Sequence, residues 1–161
     1  MYVVDDRDQV IPCNDAPLPG VPTNVIVVGG GHEIMLSYET GPGGANRALV
    51  AFEHPWAHYL GSPNDETLRG HPLGQRGLGY YGAFEVVNSS WIRVLEQVNS
   101  VHPRHDPSRY RGLRHFIFTF QDVTFECVAK RVKLLATVAN VPGEAEKIID
   151  AIVRRQLAVG Y

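Results

Sequence analysis

Apolar and polar positions alternate cleanly in several stretches of this chain and lose all period in one long one. Residues 25–28 are a short apolar run closed by glycines, which predicts a strand and a turn. From 33 to 39, Ile34, Leu36 and Tyr38 share one side and Met35 and Ser37 the other. After loop residues 41–46, Ala48, Val50 and Phe52 alternate with Leu49, Ala51 and Glu53. Short connections between these runs predict an antiparallel meander. Residues 55–79 break the period with prolines, glycines and a polar SPNDET segment, and predict a long irregular loop. Residues 80–87 resume as a strand. Asn88, Ser89 and Ser90 are helix N-cap candidates, and Trp91, Ile92, Val94, Leu95 and Val98 follow at helical spacing, predicting a helix over 90–101.

The clearest segment comes next. Phe116, Phe118 and Phe120 occupy every second position, and Phe125, Cys127 and Ala129 do the same after Asp122-Val123. A tight turn would pair Phe120 with Phe125, Phe118 with Cys127 and Phe116 with Ala129, placing all six on one face. Asp-Val is not a favoured turn dipeptide, so a longer loop with a shifted register is the alternative. The strand is expected to run to about Thr137. Pro142 suits the first position of a final helix with Ala145, Ile148, Ile149 and Ile152 as its buried stripe. Four prolines in residues 1–23 predict an extended arm, with Tyr2–Val4 as a short edge strand. The order β-β-β-β-α-β-β-α predicts an α+β fold: a single curved, mainly antiparallel sheet with two helices packed on one face, the Phe/Cys/Ala face meeting those helices.

Composition narrows the function classes. The 161 residues suit one domain, 1–161. Fifteen basic and seventeen acidic residues give a net charge of −2, which lacks the electrostatic footprint of a nucleic-acid binder. No secretory signal pattern and no apolar run of membrane-spanning length are present, so a cytoplasmic protein without membrane association is expected. Two cysteines far apart, Cys13 and Cys127, predict reduced thiols rather than a disulfide framework.

The run VIVVGGGH invites a dinucleotide-binding reading, because Gly29 and Gly31 match its first two glycines. Ile34 stands where the third glycine belongs, and the residues that follow alternate like a strand. Neither NAD nor FAD is expected, and no other cofactor is predicted. Seven histidines are the more suggestive feature. His54 and His58 resemble an HxxxH pair, with His71 as a third ligand, but Pro55 disfavours helical geometry at His54. These three are weak metal candidates. For metal-free acid–base chemistry the candidates are Glu126, His115 and Glu53. In the expected hairpin Glu126 faces Thr119, with His115 and Lys130 on the same side. On a half-apolar face its pKa would rise, and pairing with Lys130 is the plainer alternative. Ser89 and Ser90 are better explained by capping than by nucleophilic catalysis. Arg104, Arg109, Arg111 and Arg114 form a basic stretch that either meets an anion or is a solvated loop. Trp56, His58, His71, Tyr80 and Tyr81 flank the long loop as candidate ligand-binding residues.

The segments GHPLGQRGLGYYGAFEVVNSSWI (70–92) and HFIFTFQDVTFECVA (115–129) resemble small bacterial proteins of an uncharacterised family. The likeness covers about a quarter of the chain. It implies a bacterial, cytoplasmic, single-domain protein and carries no activity with it. The leading expectation is a small non-catalytic ligand- or protein-binding module that forms a homo-oligomer, because one partly apolar sheet face lacks helices to cover it. The competing expectations are a His/Glu-dependent, metal-assisted or metal-free hydrolase or isomerase beneath loop 55–79, and a sheet–helix cavity for an apolar small molecule.

Overall fold

The computed structural model describes residues 2–30 and 32–158, except the side chains of Ala145 and Gln156. It is mostly β, with two sheets rather than one. The strands are β1 (Gln9–Pro12), β2 (Ile26–Gly29), β3 (Glu33–Thr40), β4 (Asn46–Glu53), β5 (Ala57–Gly61), β6 (Ala83–Val87), β7 (Arg114–Thr119), β8 (Thr124–Ala129) and β9 (Arg131–Ala139). The helices are α1 (Ser90–Asn99) and α2 (Glu144–Ala158). Five strands order as β1-β6-β7-β8-β5 and four as β2-β3-β4-β9, with every pairing antiparallel.

The phenylalanine face does meet one core, but its partner is the second sheet and not the helices. Phe116, Phe118, Phe120, Phe125, Cys127 and Ala129 pack against Ile34, Leu36, Tyr38, Val50 and Phe52. The Phe52 ring sits 5.7 Å from both Phe116 and Phe118 and 5.2 Å from Phe125. This is face-to-face sheet packing. The helices lie on opposite outer faces. Trp91, Ile92 and Leu95 of α1 pack with Val128 and Leu113 on one, and Ile148 and Ile152 of α2 cover Met35 and Leu49 on the other. Val94 and Val98 of α1 point outward.

The hairpin register is shifted from the tight-turn expectation: Phe118 pairs with Phe125, Phe116 with Cys127 and Thr119 with Thr124. Pairing partners move by two residues, an even step, so every side chain keeps its face. Glu126 consequently opposes Ile117 rather than Thr119.

One corner explains the remaining departures. The strand expected to reach Thr137 breaks at Lys130, where the chain leaves one sheet as β8 and enters the other as β9. Beside it β4 ends at Glu53, turns at His54 (φ 52°) and Pro55, and re-emerges in the other sheet as β5. Lys130 N–H donates to Glu53 O and Trp56 N–H to Val128 O, so a two-stranded ribbon folds over this bend intact. The expected irregular loop therefore contains strand β5 and a 3₁₀ turn at Asp65–Gly70. In the N-terminal arm the paired strand is Gln9–Pro12 and not Tyr2–Val4. Gly29 and Gly30 close the β2–β3 hairpin, and no helix follows them; Gly31 lies outside the described residues, as does the side chain of Ala145. Cys13 and Cys127 are free and buried. Among the described residues no helix is long and apolar enough to cross a membrane.

A buried carboxylate on the outer sheet face

Alternation on β7 and β8 sends the phenylalanines inward, and the same alternation sends His115, Ile117, Glu126 and Val128 to the outer face. That face is roofed by α1, by the arm before β1, and by the segment between β5 and β6. Glu126 is 3 % exposed and His115 0 %. Three side chains converge on the Glu126 carboxylate. Tyr2 Oη donates to Oε2 at 2.7 Å, His115 Nε2 lies 2.9 Å from Oε2, and His71 Nε2 lies 3.1 Å from Oε1. His71 arrives from the far end of the 3₁₀ turn, where its N–H donates to Leu68 O at 2.9 Å. Tyr2 is held by stacking on Trp91, with centroids 5.3 Å apart and ring planes 9° from parallel.

The proton positions follow from the outer partners of each ring. Leu73 N–H donates to His71 Nδ1 at 3.1 Å, so Nε2 carries the His71 proton and points it at Glu126. Ser89 Oγ accepts from Ile92 N–H at 3.3 Å and lies 2.9 Å from His115 Nδ1; because His115 Nε2 faces the Glu126 carboxylate, a neutral ring keeps its proton there and the Ser89 hydroxyl donates to Nδ1. Burial pushes the His115 pKa below its ordinary value, against the pull of Glu126, so the ring is neutral at neutral pH with its proton on Nε2. For Glu126, burial pushes upward, but the hydrogen bonds from His115 and His71, the positive charge of His115 once it is protonated in acid, and the hydrogen bond from Tyr2 outweigh it and bring the carboxyl to about 2. Burial, then the Glu126 charge, push the Tyr2 phenol up, so it remains a donor. Glu126 is thus ionised, where the sequence pointed to a raised pKa and a general base.

Ser89, His115 and Glu126 connect in the order hydroxyl, imidazole, carboxylate, as a nucleophile, base and orienting acid would. The surroundings assign the hydroxyl a structural task. Ser89 is 4 % exposed and caps α1 through Ile92 N–H. The neighbouring Ser90 N–H donates to buried Asp8 at 2.5 Å, which puts a carboxylate at the helix terminus that would have to receive an oxyanion. Ser89→Ala removes the cap and the donor to His115 together. It is expected to cost about 1–2 kcal/mol, read from the urea midpoint.

A pocket of about 230 Å³ opens onto Glu126 between Tyr2, His58, Tyr59 and Trp91. Tyr59 pairs with Glu126 across β5 and β8, and its hydroxyl donates to Ser62 O at 3.0 Å. The bend at Pro55 is what carries His58 and Tyr59 here.

Of the residues singled out in the sequence, Glu126, His115 and His71 meet in one cluster and His58 stands on the pocket wall. Glu53 pairs instead with Arg131 at 3.0 Å, on the sheet corner. His54 is exposed at the bend. Trp56 packs on Tyr110 beneath Arg109, Tyr80 is exposed, and Tyr81 donates to Asp65. Lys130 is exposed and makes no pair with Glu126. Among the described residues no three His, Cys, Asp or Glu side chains are disposed to hold a metal ion. Sequence reasoning missed Tyr2 and Trp91 as members of the site; the pairing of Tyr2 with Glu126 spans 124 positions and leaves no local signal. Compared with protein-family models, curated proteins and solved structures, the chain gives no match.

Proposed function

We propose that this protein is a non-catalytic binding module whose pocket above Glu126 takes a small organic cation, an ammonium group carrying a compact apolar body. The observation that carries this reading is a buried, ionised carboxylate without a cationic partner. His71 Nδ1 accepts from Leu73 N–H and burial holds the His115 ring neutral, so each ring offers the carboxylate a single Nε2–H, and among the described residues no lysine or arginine reaches it. Buried charges are ordinarily paired, because an uncompensated one is costly. A carboxylate has about four acceptor positions; Oε2 uses two here and Oε1 one. One position on Oε1 is left for a ligand N–H. The walls suit the same ligand, since Trp91, Tyr59 and Tyr2 line the pocket and aromatic rings attract a cation.

Catalysis fits the geometry less well. Both nitrogens of His71 and both of His115 are engaged, so neither ring has a site for a substrate proton. A carboxylate at about 2 is a weak base at neutral pH.

Titration with benzylammonium and with benzyl alcohol, followed by calorimetry and tryptophan fluorescence, tests the reading. Benzylammonium is expected to bind, benzyl alcohol not, and Glu126→Gln is expected to weaken benzylammonium by about tenfold or more while circular dichroism stays native. Equal binding of the neutral alcohol, or unchanged benzylammonium affinity in Glu126→Gln, would overturn it.

A further inference from the structure

A second cavity, of about 430 Å³, lies on the other side of the α1 N-terminus. Four arginines line it, Arg7, Arg93, Arg111 and Arg114, with one acidic residue, Glu85. Three of the four are already held. Arg114 donates to Glu85 at 3.0 and 2.5 Å and to Asp15 at 3.1 Å. Arg7 and Arg93 share the Asp5 carboxylate, at 2.6 and 2.7 Å. Those carboxylates fix the planes of the three guanidiniums and balance their charge. Arg111 differs. Among the described residues its guanidinium has no hydrogen-bond or ion-pair partner, although it lines the cavity and follows directly on the turn Pro107–Tyr110. Val86, Ile92 and Leu113 supply an apolar floor.

We infer that this cleft binds an organic oxyanion, a carboxylate or phosphate group carried on an apolar body, with Arg111 as its principal charged contact. An unpaired arginine presents five donors in a planar fork that matches either oxyanion bidentately. Arg7 adds a free donor, because its Nε and one Nη serve Asp5 while Nη1 has no partner. The apolar floor gives the body of the ligand a surface that inorganic phosphate could not use. A cavity of this size suits a small organic molecule. The inference is independent of the cation pocket: the two cavities have no lining residue in common.

The test is an amide chemical-shift titration of the full chain with phenyl phosphate, benzoate and inorganic phosphate at low ionic strength. Saturable shifts are expected at residues 85–93 and 111–114 with phenyl phosphate, benzoate or both, which also identifies the preferred oxyanion. Inorganic phosphate is expected to bind more weakly than phenyl phosphate. Arg111→Ala should weaken binding by about tenfold, Arg111→Lys by less, and Arg104→Ala, an exposed arginine on the preceding loop, not at all. Absence of saturable shifts with both organic anions would overturn the proposal. So would equal weakening by Arg111→Ala and Arg104→Ala, which would mean general charge attraction, or equal affinity for inorganic phosphate, which would leave the floor without a role.

Discussion

Glu126→Ala is expected to destabilise the fold by about 3 kcal/mol or more, from three buried donors left without an acceptor at about 1–3 kcal/mol each. The substitution deletes few apolar contacts. Its cost lies in what stays behind: the Tyr2 hydroxyl and the His71 and His115 Nε2–H groups all keep their positions and lose their acceptor. The His115 donor cannot turn away, because its ring is wedged edge-on against Trp91 and Tyr2, at centroid distances of 5.0 and 5.3 Å. Nor can His71 reverse its tautomer cheaply, since Leu73 N–H needs Nδ1 as an acceptor. Glu126→Gln keeps the shape and one carbonyl oxygen, but its NH₂ must face a donor. An intermediate loss of about 1–3 kcal/mol is expected. Urea unfolding of both variants decides the matter. If Ala costs no more than an ordinary surface substitution, the three donors do not depend on the carboxylate as described. If Gln is as damaging as Ala, the carboxylate's charge rather than its acceptor count is what the donors require.

The alternation of residues 115–129 was enough to say which side chains are inside. It was not enough to say what they meet. Phe116, Phe118 and Phe125 bury against Phe52 of a second sheet as readily as they would have buried against a helix, since apolar burial is non-directional. The even shift of the hairpin register shows the same thing: the faces survive although the partners change. The bend at His54-Pro55 was harder to see. Proline ended one strand in the pattern, and β5 beyond it is an edge strand with exposed His58, Tyr59 and Leu60, so its sequence carries no period to find. Its strand character comes from pairing with β8, which is a tertiary effect. For the site, the residue types were legible and their ionisation was not. A glutamate on a half-apolar strand suggested a raised pKa. Three donors reversed the direction, and they come from the arm, the 3₁₀ turn and β7, which no local window joins. Ser89 was legible as a cap, and its second bond, to His115, was not.

Stability is expected to fall in two stages on acidification. In the unfolded chain the His115 ring titrates near 6.5; in the folded protein burial lowers it. Between those values the unfolded state binds the additional proton, so stability present above pH about 6.5 begins to be lost below it. Glu126 obeys the same rule one window lower. Its carboxyl moves from 4.5 to about 2 on folding, so its contribution is fully present above about 4.5 and disappears as the pH drops toward 2. A displacement of that size corresponds to about 3 kcal/mol, a large part of the stability of a chain this long. Urea midpoints measured from pH 8 to pH 3 should therefore show a shallow decline and then a steeper one. Substitutions separate the stages. His115→Gln keeps a donor toward Glu126 but cannot titrate, so it should erase the upper decline and retain the lower one; Glu126→Gln should erase the lower. The order of the stages matters for the mechanism of unfolding. Protonating His115 first adds a positive charge beside Glu126, which makes a salt bridge and softens the penalty of the buried charge. Protonating Glu126 afterwards removes the acceptor from three donors at once, and that step, rather than the first, should release Tyr2 and the arm from Trp91. A profile flat to pH 4 and then collapsing in one step would instead place the acid transition in groups outside this cluster.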